Sequence, residues 1–181
     1  MIILDQIVSV DGWAARPDGE IDFFVEREGL VESVGDADRI SRVVAVLLGA
    51  QTYREFSAYW PKQDPTLPIN RLPKHVLSTA LDQAPWGEMA PASIEEGGAP
   101  DVARELEQRY GGDIIVWGSL TIAKALLSAR TVDEIWLRVV PVAIGLGRTF
   151  WPEEDIALSA VSVNTHPDGR TVGRYQLERR H

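Results

Sequence analysis

The chain has 181 residues, 45% of them apolar and 25% charged, the composition of one ordinary globular domain. Acids outnumber bases 27 to 18, and the net charge of −9 argues against a surface that neutralises nucleic-acid phosphates or rests on an anionic membrane. Cysteine is absent, and the three histidines, His75, His166 and His181, lie far apart. Disulfides, thiolate catalysis and cysteine-based zinc sites are therefore excluded, and no metal site is expected.

Residues 1–10 are rich in β-branched and aliphatic side chains and predict a strand, stopped by Asp11-Gly12. Pro17-Asp18-Gly19 is a turn. Residues 21–34 place apolar side chains at 23, 24, 30, 31 and 34, a helical stripe that Asp22 can cap. The nearly continuous apolar run 42–48 predicts a central strand covered on both faces. A short helix over 52–59 follows, then a loop over 61–73 with four prolines, a strand over 74–78 and irregular surface over 84–100. Residues 101–110 predict a helix ended by Gly111-Gly112, 113–117 a buried strand, 120–127 a helix and 134–140 a strand broken by Pro141. Segments 156–164 and 171–179 flank Pro167-Asp168-Gly169 and predict a β-hairpin. The acids at 95, 96 and 153–155 read as solvated loops, and His75 as a packing or exposed residue rather than a catalytic one.

Strands alternating with helices imply an α/β fold: three αβα layers around a mixed, mostly parallel sheet, with a C-terminal hairpin and one domain over 1–181. The longest apolar run, from Val43 to Ala50, is far too short to span a bilayer, and the N-terminus carries no leader pattern, so a cytoplasmic protein is expected.

Two strand-to-helix junctions carry the chemistry. The first is Gly118-Ser119-Leu120-Thr121 and the second Gly49-Ala50-Gln51-Thr52. Small residues let backbone approach a ligand, and a helix N-terminus offers free N–H groups and partial positive charge. One junction alone also reads as a plain turn with Ser119 as helix cap. Two in one α/β chain point to a ligand lying across the carboxyl ends of parallel strands.

Five segments, in order along nearly the whole chain, carry a family likeness: Ser9-Val10-Asp11-Gly12; Leu48-Gly49 with Thr52-Tyr53 and Trp60-Pro61; Lys74-His75-Val76-Leu77-Ser78; Gly118-Ser119 with Ala125-Leu126-Leu127; and Val132-Asp133-Glu134 with Pro141-Val142 and Gly145-Leu146-Gly147. The chain resembles the reductase domain of bacterial riboflavin-biosynthesis deaminase/reductases and its stand-alone relatives, which share the dihydrofolate reductase-like fold. That resemblance implies a nicotinamide-dependent reductase of a small heteroaromatic, pyrimidine- or pterin-like substrate, similar to 5-amino-6-(5-phosphoribosylamino)uracil reductase. It implies NADPH held by Gly49, Ala50, Gln51, Thr52, Ser78, Thr79, Gly118, Ser119, Leu120 and Thr121, and a homodimer. It makes Asp11 the candidate catalytic residue, with Asp11, Trp13, Trp60 and Trp117 toward the substrate, and Gly145-Leu146-Gly147 a tight turn near the cofactor edge.

Three departures bear on these expectations. Ala50 and Thr79 stand where many relatives have arginines that meet the 2′-phosphate of NADPH, so NADH or a flavin stays open, as does compensation by Arg54 or Arg71. Trp117 stands where riboflavin-pathway reductases place an acid; an indole stacks on a flat ring but cannot accept hydrogen bonds as a carboxylate does. The alternatives are a non-catalytic nucleotide- or flavin-binding module on the same fold, or a dihydrofolate reductase. The latter needs a carboxylate on its first long helix, from Asp22, Glu26, Glu28 or Glu32.

Overall fold

The computed structural model describes residues 1–25 and 40–178. Most of the helix expected over 21–34 lies outside the described residues, with Glu26, Glu28 and Glu32, as does Arg179 of the expected last strand; Asp22–Val25 forms a single turn, α1. The strands are β1 (Ile2–Ser9), β2 (Val43–Gly49), β3 (Lys74–Leu77), β4 (Ser93–Glu95), β5 (Asp113–Trp117), β6 (Glu134–Val140), β7 (Leu158–Thr165) and β8 (Thr171–Leu177). The remaining helices are α2 (Ala50–Tyr59), α3 (Pro68–Arg71), α4 (Ala99–Tyr110) and α5 (Leu120–Ser128).

All the strands join one sheet in the order β4-β3-β2-β5-β1-β6-β8-β7. The pairs from β4 to β6 are parallel, and β8 pairs antiparallel with β6 and β7 as the expected hairpin. Successive strand residues point to opposite faces, so β1, β2 and β5 feed two cores. Ile2, Leu4, Ala45, Leu47, Ile114 and Val116 pack under Val102 and Leu106 of α4 and Ala123 and Leu126 of α5. Ile3, Val46, Leu48 and Ile115 pack on the other side with Tyr53, Trp60, Ile69 and Trp86. A strand apolar on both faces is stable only between two covering layers, and this is the three-layer arrangement the apolar runs predict. Among the described residues, no helix is long and apolar enough to cross a membrane.

Three local expectations are corrected. The 84–100 segment is not wholly surface: β4 extends the sheet beside β3, and Trp86 is fully buried. The loop over 61–73 contains a 3-10 turn at Trp60–Lys62 and the helix α3, whose first residue is Pro68, a position where the missing N–H costs nothing. Glu95 is not solvated: it accepts from His75 Nδ1 at 2.6 Å and Arg109 at 3.0 Å, while His75 Nε2 meets the Tyr110 hydroxyl at 2.9 Å. Burial would push the Glu95 carboxyl up, but His75 and Arg109 outweigh it and hold the group below its ordinary value.

A buried polar knot holds the segment after α2. Asn70 donates to the Trp60 and Asp64 carbonyls and accepts from Trp86 Nε1 at 2.9 Å. Lys74 Nζ donates to the carbonyls of Ile69, Asn70 and Leu72 at 2.7–3.1 Å and lies 4.9 Å from the Trp86 ring centre. It meets the end of α3, where carbonyls lack helical partners. Burial pushes the ammonium down to about 8. Between that value and its ordinary 10.5, the unfolded chain keeps a proton that the folded chain has released. Stability therefore rises with pH through that window, by at most about 3 kcal/mol at roughly 1.4 kcal/mol per unit. Urea midpoints at pH 7.5, 9 and 10 should show this rise in the native protein, and Lys74→Met should lack it.

Candidate active site

β1 has parallel neighbours of unequal length. Its pairing with β5 ends at Asp5↔Trp117, whereas its pairing with β6 runs on to Ser9↔Val140. Beyond Asp5 the sheet is open on the β5 side, and a cavity of about 940 Å³ reaches in there. The two strand-to-helix junctions flank it, with Asp5, Gln6, Ile7 and Arg138 deep in its wall and Phe24, Phe56, Tyr59 and Trp60 as an aromatic side.

The junctions are tied to each other. Ser119 has φ 56° and ψ 60°, a left-handed conformation that costs a non-glycine residue about 1–2 kcal/mol. Three bonds hold it. Its N–H donates to Thr52 Oγ1 at 3.0 Å, its Oγ accepts from the Gly49 N–H at 2.7 Å, and its hydroxyl donates to the Trp117 carbonyl at 3.1 Å. Ser119 therefore does not cap α5 with its side chain, contrary to the plain-turn reading; it clamps β2–α2 to β5–α5. Gly118 is also left-handed at φ 57°, and a Cβ there would come within 3.2 Å of Thr52 Cγ2. Neither α2 nor α5 has a side-chain cap hydrogen bond, so the first-turn N–H groups of both helices receive no partner from their cap residues.

Gly49, Ala50, Gln51, Thr52, Gly118, Ser119, Leu120, Thr121, Trp60 and Trp117 all line the cavity. Asp11, Trp13, Ser78 and Thr79 do not. Asp11 accepts from the backbone N–H of Ile144 at 3.2 Å and Gly145 at 2.7 Å. The nearby Ser9 hydroxyl and those two N–H groups hold its carboxyl below the usual range, so it is an exposed carboxylate that pins a loop. Trp13 packs on Gly147, where a Cβ would lie 2.8 Å from the Trp13 Cβ and 2.3 Å from the Ala15 carbonyl oxygen. Both residues thus shape the segment that brings Arg148 and Thr149 to the wall. The Ser78 hydroxyl accepts from the Ala80 N–H within its own turn, and Thr79 is exposed.

Trp117 is 3% exposed, and its Nε1 donates to Asp5 Oδ2 at 2.8 Å. Asp5 Oδ1 accepts from Arg138 Nε at 3.1 Å and Nη2 at 2.8 Å, with both ion-pair side chains 5% exposed. A buried carboxylate does lie beside the glycine turn, but it comes from the neighbouring strand, and the Trp117 indole donates to it. Asp22 is exposed, pairs with Arg16 at 2.5 Å and does not line the cavity. Arg54 and Arg71 are not on the wall; Lys124, on the exposed side of α5, and Arg148 are. Sequence reasoning missed Asp5, Gln6, Arg138, Lys124 and Arg148. The legible signal was Asp-Gln inside the apolar run of β1, because a polar pair buried in a strand needs partners.

The clamp yields a stability prediction. Thr52→Val strands the buried Ser119 N–H and Ser119→Ala the part-buried Gly49 N–H, and each should lower stability by about 1–3 kcal/mol in urea unfolding. Ser119→Gly should cost less than Ser119→Ala, because glycine enters the left-handed region freely. The Ser119→Ala/Thr52→Val double variant should fall short of the sum of the singles.

The family model of the RibD C-terminal domain matches residues 1–171. The chain is 30% identical over 143 residues to the uncharacterized protein YwjB of Bacillus subtilis (strain 168), covering 77% of this chain and 76% of that protein. In structure it is similar to the diaminohydroxyphosphoribosylaminopyrimidine deaminase/5-amino-6-(5-phosphoribosylamino)uracil reductase of Thermotoga maritima, with TM-score 0.70 and 14% identity over 98% of this chain and 56% of that one. It is also similar to the dihydrofolate reductase of Enterococcus faecalis solved with NADP(H), with TM-score 0.67 and 14% identity over 99% and 97% of the two chains. At these identities the structures show a shared dihydrofolate reductase-like fold. The chain belongs to the RibD C-terminal domain family.

Proposed function

We propose that the protein is an NADPH-dependent reductase of a small planar heterocycle. The observation that carries this reading is the convergence of two uncapped helix N-termini on a cavity whose wall also holds the buried Asp5–Arg138 pair. Uncapped first-turn N–H groups suit a pyrophosphate. The Ser119 and Thr52 hydroxyls are engaged with backbone, so binding rests on the N–H groups of Ala50, Gln51, Leu120 and Thr121. Lys124 and Arg148 are the wall cations that take the place of the bases absent at Ala50 and Thr79. When bound, a reduced nicotinamide of the kind held by the dihydrofolate reductase fold relative would supply the hydride.

The substrate ring lies against Phe24, Phe56 and Trp60. Asp5 Oδ2, which receives only the Trp117 N–H among the described residues, accepts a ring N–H or amino group. Arg138 and Trp117 hold that carboxylate in one orientation, and the aromatic side excludes water from the reacting face.

Purified protein titrated with NADPH and NADH, followed by quenching of its six tryptophans, should bind NADPH at micromolar concentration and NADH more weakly. Lys124→Ala should narrow that difference about tenfold, the worth of one charge-assisted contact. A panel of pterins, aminopyrimidines and flavins should include a compound that consumes NADPH at 340 nm, and Asp5→Asn should slow that turnover at least tenfold. Binding of neither nucleotide overturns the reading.

A further inference from the structure

The period of α2 decides which of its side chains meet the cavity. Gln51, Thr52, Glu55, Phe56, Tyr59 and Trp60 line it, whereas the residues between them, at 53, 54, 57 and 58, do not. Spacings of one, three and four mark a single helix face, so Glu55 stands on the face turned to the cavity.

Two carboxylates line that cavity, and they differ. Asp5 is buried and paired with Arg138. Glu55 is exposed, and among the described residues its side chain has no cation partner. It accepts one bond, from Gln51 Nε2 to Oε1 at 3.0 Å, which leaves Oε2 open. The wall cations Lys124 and Arg148 stand elsewhere, on α5 and on the segment after Gly147.

The neighbours of Glu55 on this face are rings. Tyr59 and Trp60 lie 5.1 Å apart between centroids at 83°, and Phe56 and Trp60 6.0 Å apart at 68°. Rings set so steeply make a corner rather than a flat platform. Ring faces are electronegative and attract cations, more strongly where water is displaced. An unpaired carboxylate beside an aromatic corner is therefore suited to an ammonium group. The acid supplies the counter-charge, and the rings replace lost water.

We propose that this face of α2 binds a protonated amine carried on the substrate, with Glu55 as its counter-ion and Tyr59 and Trp60 as its aromatic walls. The proposal rests on the reductase reading above and narrows its substrate to a heterocycle with a cationic arm. The ring lies deeper, at Asp5, and the arm reaches the mouth, where Tyr59 is 46% exposed.

The test is equilibrium dialysis at pH 7, without nucleotide, of three pterins that differ only at C6. One carries a cationic aminomethyl group, one a neutral hydroxymethyl group and one a carboxylate. The native protein should hold the amine about tenfold tighter than the alcohol, the effect of one charge-assisted contact, and the carboxylate weakest. That preference should shrink as salt is raised. Glu55→Gln should bring amine and alcohol within about threefold, and Tyr59→Leu should weaken the amine more than the alcohol. Both sites are exposed, and circular dichroism checks that the variants fold. Equal binding of amine and alcohol by the native protein overturns the proposal, and so does a preference that survives Glu55→Gln. Tightest binding of the carboxylate overturns it too, because Lys124 and Arg148 would then set the charge selection. Binding of none of the three also overturns it. The reductase reading stands or falls separately, on the NADPH titration.

Discussion

The structure turns on one reciprocal pair of hydrogen bonds, in which Gly49 donates to the Ser119 hydroxyl and Ser119 donates to the Thr52 hydroxyl. Each junction alone is a strand running into a helix. Joined, they fix the spacing of two helix ends and hold Ser119 in a conformation it would not adopt by itself. The strain is local and the compensation is shared between two distant segments of chain. Small residues are required there for different reasons: Gly118 for its backbone angle and the nearness of Thr52, Ser119 for an oxygen that accepts and donates at once.

A second polar arrangement sits a few residues away, and it follows from burial. An aspartate in the middle of a sheet cannot stand unpaired, and Asp5 gathers Arg138 from β6 and the Trp117 indole from β5. Pairs of this kind add little to stability compared with apolar packing, so their worth lies in fixing a geometry. Three strands each give one side chain, and a carboxylate is held still in the wall of the chamber, beside Trp117. The apolar sheet sets a low-dielectric background in which each paired polar atom interacts strongly.

Much of this was legible in the residues. The apolar runs of β1, β2 and β5 announce strands covered on both sides, and the two small-residue junctions both come to the wall of the cavity. The side-chain roles were less legible, because they depend on neighbours far apart in sequence. Trp117 reads as a stacking platform until its N–H is found on Asp5, 112 residues away. Asp11 reads as a catalytic acid because its motif is prominent, yet its two backbone partners at 144 and 145 make it a loop fastener. Glu95 reads as solvated because its local stretch is rich in glycine and proline, while its partners come from β3 and α4. In each case the local segment gives the conformation, and the long-range partner decides the use.

The unequal ends of β5 and β6 beside β1 have a consequence for how such a protein can change. Between Gln6 and Ser9 the β1 backbone has β6 on one side and no strand pair on the other. At about 3.3 Å per residue, those positions make a ledge roughly 13 Å long. The reach of the binding chamber is thus set by where one strand stops, a quantity that moves in whole-residue steps. Shifting the Gly118 turn by a residue pair would deepen or fill the chamber by nearly 7 Å while leaving both cores intact. The size of the chamber can therefore drift independently of the fold, through the length of a single strand.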